Sequence, residues 1–131
     1  MPEVIFPGPD GRLEGRYHPQ KNRDAPIAII LHPHPLYGGT MNNKVVYNLH
    51  YVFHRLGFTC LRFNFRGVGR SQGEYDQGIG ELSDAAAALE PALWADEHHV
   101  RHADSGSFLV IGRPAAGMAP NSRKLRKNLD T

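Results

Sequence analysis

The segment from Ile27 to Gly39, IAIILHPHPLYGG, decides the fold class. Its opening, Ile27 to His32, is an almost unbroken apolar run of strand length. Such runs belong to strands buried on both faces, as in a parallel sheet. The rest is a loop. Pro33 and Pro35 carry no N–H, so its backbone donors come from His34, Leu36 or the residues after them. Gly38 and Gly39 let the chain turn sharply before a helix. Ligand sites of open α/β sheets gather at strand ends of this kind, and fixed donors there suit an oxyanion hole.

Outward from this loop the pattern alternates. Val45, Leu49, Val52, Phe53 and Leu56 recur at helical spacing and share one face, with Thr40 or Asn42 placed to cap the helix and Gly57 to end it. TCLRFNF (59–65) reads as the next strand, and GELSDAAAALE (80–90) as a second helix with Leu82, Ala85, Ala86 and Leu89 on its apolar side. SFLVIG (107–112) is a third buried-type strand. Upstream, Val4 to Phe6 and RLEGRY (12–17) flank a Pro/Gly turn and read as a hairpin. A hairpin followed by strand, helix, strand, helix, strand predicts an α/β sheet with crossover helices. The expected domain spans 1–112, is weakly patterned over 90–106, and is followed by an irregular basic tail over 113–131.

Between the second of these strands and the second helix lies RGVGRSQGE (66–74), in which Gly69-Arg70-Ser71-Gln72-Gly73 spells the G-x-S-x-G of a nucleophile elbow. An elbow needs a strand running straight into a sharp turn, with a helix starting at once after the serine. Here no helical pattern begins before about Gly80. Ser71 therefore reads as a loop residue, with Arg66, Gly67, Gly69, Ser71 and Gly73 forming a structural loop. The Gly67/Gly69 pair is also a poor phosphate cradle, since Gln72 stands where a third glycine belongs and no Lys-Ser/Thr follows.

His32 and His34 make an H-x-H pair, and His50 and His54 lie one turn apart on the first helix. A metal site needs three or four converging ligands, and nothing in the spacing brings these together. His98, His99 and His102 lie where no element is readable. Neither metal nor cofactor is expected. The single cysteine, Cys60, sits in an apolar run and predicts a buried, inert thiol. A formal charge of +2 gives no global case for nucleic acid or membrane binding. The N-terminus lacks the pattern of a signal peptide, so a cytoplasmic location is the expectation.

In order along the first 90 residues, GRLEGRY, IAIILHPHPLYGGTMNNKVVYNL, LGFTCLRFNFRGVGRSQGEYDQG and GELSDAAAAL resemble the α/β-hydrolase superfamily. More narrowly, they resemble its small bacterial dienelactone-hydrolase-like and prolyl-oligopeptidase-like members. The resemblance implies serine-type hydrolysis of ester or related acyl bonds. It also implies that the loop of His34, Leu36 and Tyr37 is the oxyanion segment and that Ser71 is not the nucleophile.

The family's nucleophile should follow the strand FLVIG, as Gly112-x-Ser-x-Gly. This sequence has Gly112-Arg113-Pro114-Ala115-Ala116-Gly117, with Pro114 in the serine's place. The expected acid and histidine would come later still. The pattern breaks near Glu90, inside a helix, which suggests a truncated or frame-shifted reading of a hydrolase gene. The chain is expected to lack a catalytic residue of its own and to bind a small acyl substrate only as part of a longer protein. A last strand left open would make it self-associate. A non-catalytic binding protein, using that edge or the basic tail, is the alternative.

Overall fold

The apolar run at Ile27 and the one at Thr59 lie side by side in the computed structural model, which describes residues 3–22, 24–90, 94 and 108–112. The strands are β1 (Glu3–Gly8), β2 (Gly11–His18), β3 (Ile27–Ile30), β4 (Thr59–Phe63) and β5 (Phe108–Ile111). They form one sheet in the order β1-β2-β4-β3-β5. The hairpin β1–β2 is antiparallel and joins β4 antiparallel, whereas β3 runs parallel to both β4 and β5. This is the mixed α/β sheet that the order of patterns predicts.

The helices α1 (Lys44–Arg55) and α2 (Ile79–Ala88) occupy the two faces of the sheet. Alternation along the strands explains the division. Ile27, Ile29 and Leu31 join Leu61, Phe63 and Phe65 on one face, where they pack with Phe6, Leu13 and Tyr17 of the hairpin and with Ala85 and Ala88 of α2. Each fully buried large side chain there contributes about 1.5–3 kcal/mol. Residues of the other parity, among them Cys60 and Arg62, lie under α1. The Cys60 thiol approaches the His50 carbonyl at 3.4 Å, and Arg62 Nε donates to the Met41 carbonyl at 3.1 Å. Burial pushes the Cys60 thiol up to about 12, so it is held protonated and unreactive.

Helix α1 departs from expectation in two respects. Its cap is Asn43, whose side chain accepts from the Val45 and Val46 amides, rather than Thr40 or Asn42. Val45, Val52 and Leu56 do share a face, but that face is open to solvent; Val46 and His50 are the buried positions. On α2, Ala85 is buried as expected but Ala86 is exposed, while the carboxylates Glu81 and Asp84 are fully buried. Glu81 accepts from the Asp76 and Gly78 amides, which satisfies donors at the helix start. Among the described residues no helix is long and apolar enough to cross a membrane.

Candidate functional site

Because β3 and β4 are parallel, the loops that follow them emerge at the same edge of the sheet. Two side chains tie these loops together. His32 is buried; its Nε2 accepts from the Phe65 amide at 3.1 Å, leaving Nδ1–H to donate to the Pro33 carbonyl at 2.7 Å. Burial lowers its pKa, which fits this neutral tautomer. Asn64, also buried, accepts from the Met41 amide at 2.8 Å and donates to Glu14 Oε2 at 3.1 Å. His32 is thus a brace between strand ends.

The loop after β3 folds into a single 3-10 turn, Pro35–Tyr37, capped by His34. His34 Nδ1 accepts from the Leu36 amide at 3.1 Å, and the His34 carbonyl accepts from the Tyr37 and Gly39 amides, both at 3.1 Å. With Nδ1 accepting, Nε2 carries the proton and points it at the Tyr75 hydroxyl, 3.1 Å away. Three candidate donors were named from the sequence, and the turn separates them. The N–H groups of Leu36 and Tyr37 are engaged inside the loop, whereas that of His34 has no hydrogen-bond partner among the described residues. Gly39 is required by space, since a Cβ there would run into the Pro33 carbonyl oxygen.

The loop after β4 is built differently. Gly67, Gly69 and Gly73 have φ of 74°, 54° and 92°, the left-handed region that glycine adopts without strain. Ser71 is buried at its centre. Its hydroxyl donates to the Asn64 carbonyl at 2.7 Å and accepts from the Glu14 amide at 3.0 Å. Among the described residues neither a histidine nor a carboxylate hydrogen-bonds it, so no described group there is placed to take its proton. Arg66 lies against α2 and is held by Asp84. The hydrogen bond to Asp84, more than its charge, raises the Arg66 pKa further. Asp84 is the residue that sequence reading missed; its signal was an acidic residue amid the alanines of α2.

The other described histidines do not gather at this edge. His18, His50 and His54 stack on one another on the α1 side, with ring centroids 5.5 Å apart for His18–His50 and 3.3 Å for His18–His54. Both ring nitrogens of His50 and Nδ1 of His18 are buried without a hydrogen-bond partner. Burial, then the charges of Arg62, His18 and His54, push the His50 pKa down to about 3. Among the described residues no three His, Cys, Asp or Glu side chains are arranged to hold a metal ion. Pro114, the segment 113–117 and the histidines at 98, 99 and 102 lie outside the described residues.

No known family profile matches the chain. An uncharacterized protein of Rickettsia prowazekii (strain Madrid E) is 51% identical over 112 residues, which are 86% of this chain and 44% of that protein. A crystal structure from Agrobacterium tumefaciens, of a protein of unknown function assigned provisionally to the α/β hydrolases, is 63% identical and superposes with a TM-score of 0.73. That match covers 83% of this chain and 47% of the other. An α/β serine hydrolase homologue from Coxiella burnetii is 42% identical with a TM-score of 0.70, covering 83% of this chain and 50% of its own. The chain therefore spans about half the length of the proteins it matches.

Proposed function

The chain belongs to the α/β-hydrolase superfamily, and from that premise we propose that it is the oxyanion-binding half of a serine-type hydrolase of ester or related acyl bonds. The observation that carries this reading is the His34 N–H, which has no hydrogen-bond partner among the described residues. It is held at the carboxyl end of β3 by a turn that engages the N–H groups of Leu36, Tyr37 and Gly39 itself. A fixed, unpaired donor can meet developing negative charge without first breaking a bond of its own. His34 is the donor; Leu36 and Tyr37 shape the turn that presents it.

The nucleophile is supplied by a part of the longer hydrolase that this chain does not share with its relatives. Ser71 has its hydroxyl committed on both sides. The 131-residue chain is accordingly inactive by itself. The test is hydrolysis of p-nitrophenyl acetate by the purified chain and by its Ser71→Ala variant. Both should match the buffer rate; turnover by the chain that Ser71→Ala removes would overturn the reading. Sequencing the coding DNA past codon 89 tests the proposed frame shift, which an alternative frame encoding Gly-x-Ser-x-Gly would support and intact DNA without one would refute.

A further inference from the structure

Arg12, Glu14 and Arg16 alternate along β2 and so project from one face of the hairpin, with Ile5 of β1 opposite Glu14 and Glu3 opposite Arg16. The glycine loop from Gly69 to Gln72 forms the facing wall of a cavity of about 650 Å³. Ile5, 66% exposed, supplies apolar lining. None of His32, His34 and Tyr75 lines this cavity, so it is separate from the candidate oxyanion turn.

The charges in the cavity are unevenly committed. Arg16 is paired with Glu3. Glu14 Oε2 is taken up by the glycine loop: it accepts from the Arg70 amide and from Asn64 Nδ2, and a Cβ at Gly69 would run into that oxygen. The guanidinium groups of Arg12 and Arg70, by contrast, have neither a hydrogen bond nor an ion pair among the described residues. Their backbones are fixed all the same. The Arg12 amide donates to Gln72 Oε1 at 2.9 Å, the Gln72 amide donates to the Arg12 carbonyl at 2.8 Å, and the Glu14 amide donates to Ser71 Oγ at 3.0 Å. Two cationic forks with unspent donors thus stand on walls clamped to each other, which leaves only the two side chains to be ordered on binding.

We propose that this cavity binds a phosphomonoester, its phosphate held between the Arg12 and Arg70 guanidinium groups and its apolar body laid on Ile5. A guanidinium presents paired N–H donors that match phosphate or carboxylate oxygens bidentately. A phosphomonoester carries three acceptor oxygens and nearly two charges, so it accepts from both forks at once, whereas one carboxylate satisfies one fork. Glu3 and Glu14 in the same wall repel a long polyanion, which favours a small ester over nucleic acid.

The experiment is titration of the purified 131-residue chain with phenyl phosphate at low ionic strength, read by calorimetry and by amide chemical shifts. Saturable one-to-one binding is expected, with shifts at Ile5, Arg12 and the loop from Gly69 to Gln72. Arg12→Gln and Arg70→Gln should each weaken it about tenfold, the lower end for hydrogen bonds to charged groups. Both side chains are exposed, so the circular dichroism of these variants should match that of the parent. Ile5→Ser should weaken phenyl phosphate and leave inorganic phosphate unaffected, and benzoate should bind more weakly than either. Added salt should loosen the complex, as it does for exposed charges. Absence of saturable binding, shifts confined to the basic segment 123–127, or an affinity unchanged when both arginines are replaced would overturn the proposal. So would benzoate, or a short DNA oligonucleotide, binding through the same two arginines as tightly as phenyl phosphate.

Discussion

Arg66 and Asp84 are joined by three hydrogen bonds: the Arg66 amide and Nε both donate to Asp84 Oδ2, at 3.0 and 3.2 Å, and Nη2 donates to Oδ1 at 2.9 Å. One carboxylate thereby fixes the backbone and the side chain of the third residue after β4, and anchors the glycine loop to α2. Gly80 makes the approach possible, because a Cβ there would meet the Arg66 guanidinium.

Breaking this pair from one side leaves the buried Arg66 guanidinium with, among the described residues, only the more distant Asp10 carboxylate, 3.8 Å away. Asp84→Ala should cost about 3–5 kcal/mol, the range for such losses. Urea unfolding followed by circular dichroism measures it. A loss below about 1 kcal/mol would mean that the pair is solvated and that the loop is held by other contacts.

Ser71→Ala should lower stability by about 1–3 kcal/mol, since it strips a partner from both the Asn64 carbonyl and the Glu14 amide in a buried setting. The same measurement applies. A variant as stable as the parent would show that water replaces the hydroxyl.

Gly39→Ala should cost about 1–3 kcal/mol, as overpacking does, because the new methyl must displace the Pro33 carbonyl. The loop that aims the His34 N–H moves with it. Amide exchange at Leu36 and Tyr37 should quicken as their hydrogen bonds to His34 loosen; unchanged exchange would count against the tight approach.

Stability should fall in mild acid. The His50 pKa is about 3 in the fold and near 6.5 when unfolded, so the unfolded chain binds the additional proton between those values. This stabilisation is complete above about pH 6.5 and is lost as pH drops towards 3. At pH 5 the loss from His50 alone is about 2 kcal/mol, from 1.36 kcal/mol per pH unit. His18, whose pKa burial also lowers, adds to the loss in the same direction. His50→Leu should flatten the profile between pH 7.5 and 5; an equally steep profile in that variant would place the titrating group elsewhere.

Much of the fold was legible in the sequence. Apolar runs of strand length, helical spacing and glycine punctuation are local signals, and they gave the elements and their order. At Ser71 the distance from strand to helix argued for a loop residue without any structure. The tertiary structure decided what local signals do not encode. Spacing shows that Val45, Val52 and Leu56 share a face, yet not that the face looks outward while His50 looks in; that depends on where the sheet lies. The bond from Asp84 to Arg66 spans 18 residues and that from Ser71 to the Glu14 amide spans 57, so neither leaves a short-range trace. That the His34 N–H has no partner among the described residues also became visible only once the turn had engaged the amides of Leu36, Tyr37 and Gly39, because which donor remains unpaired depends on where the other hydrogen bonds go.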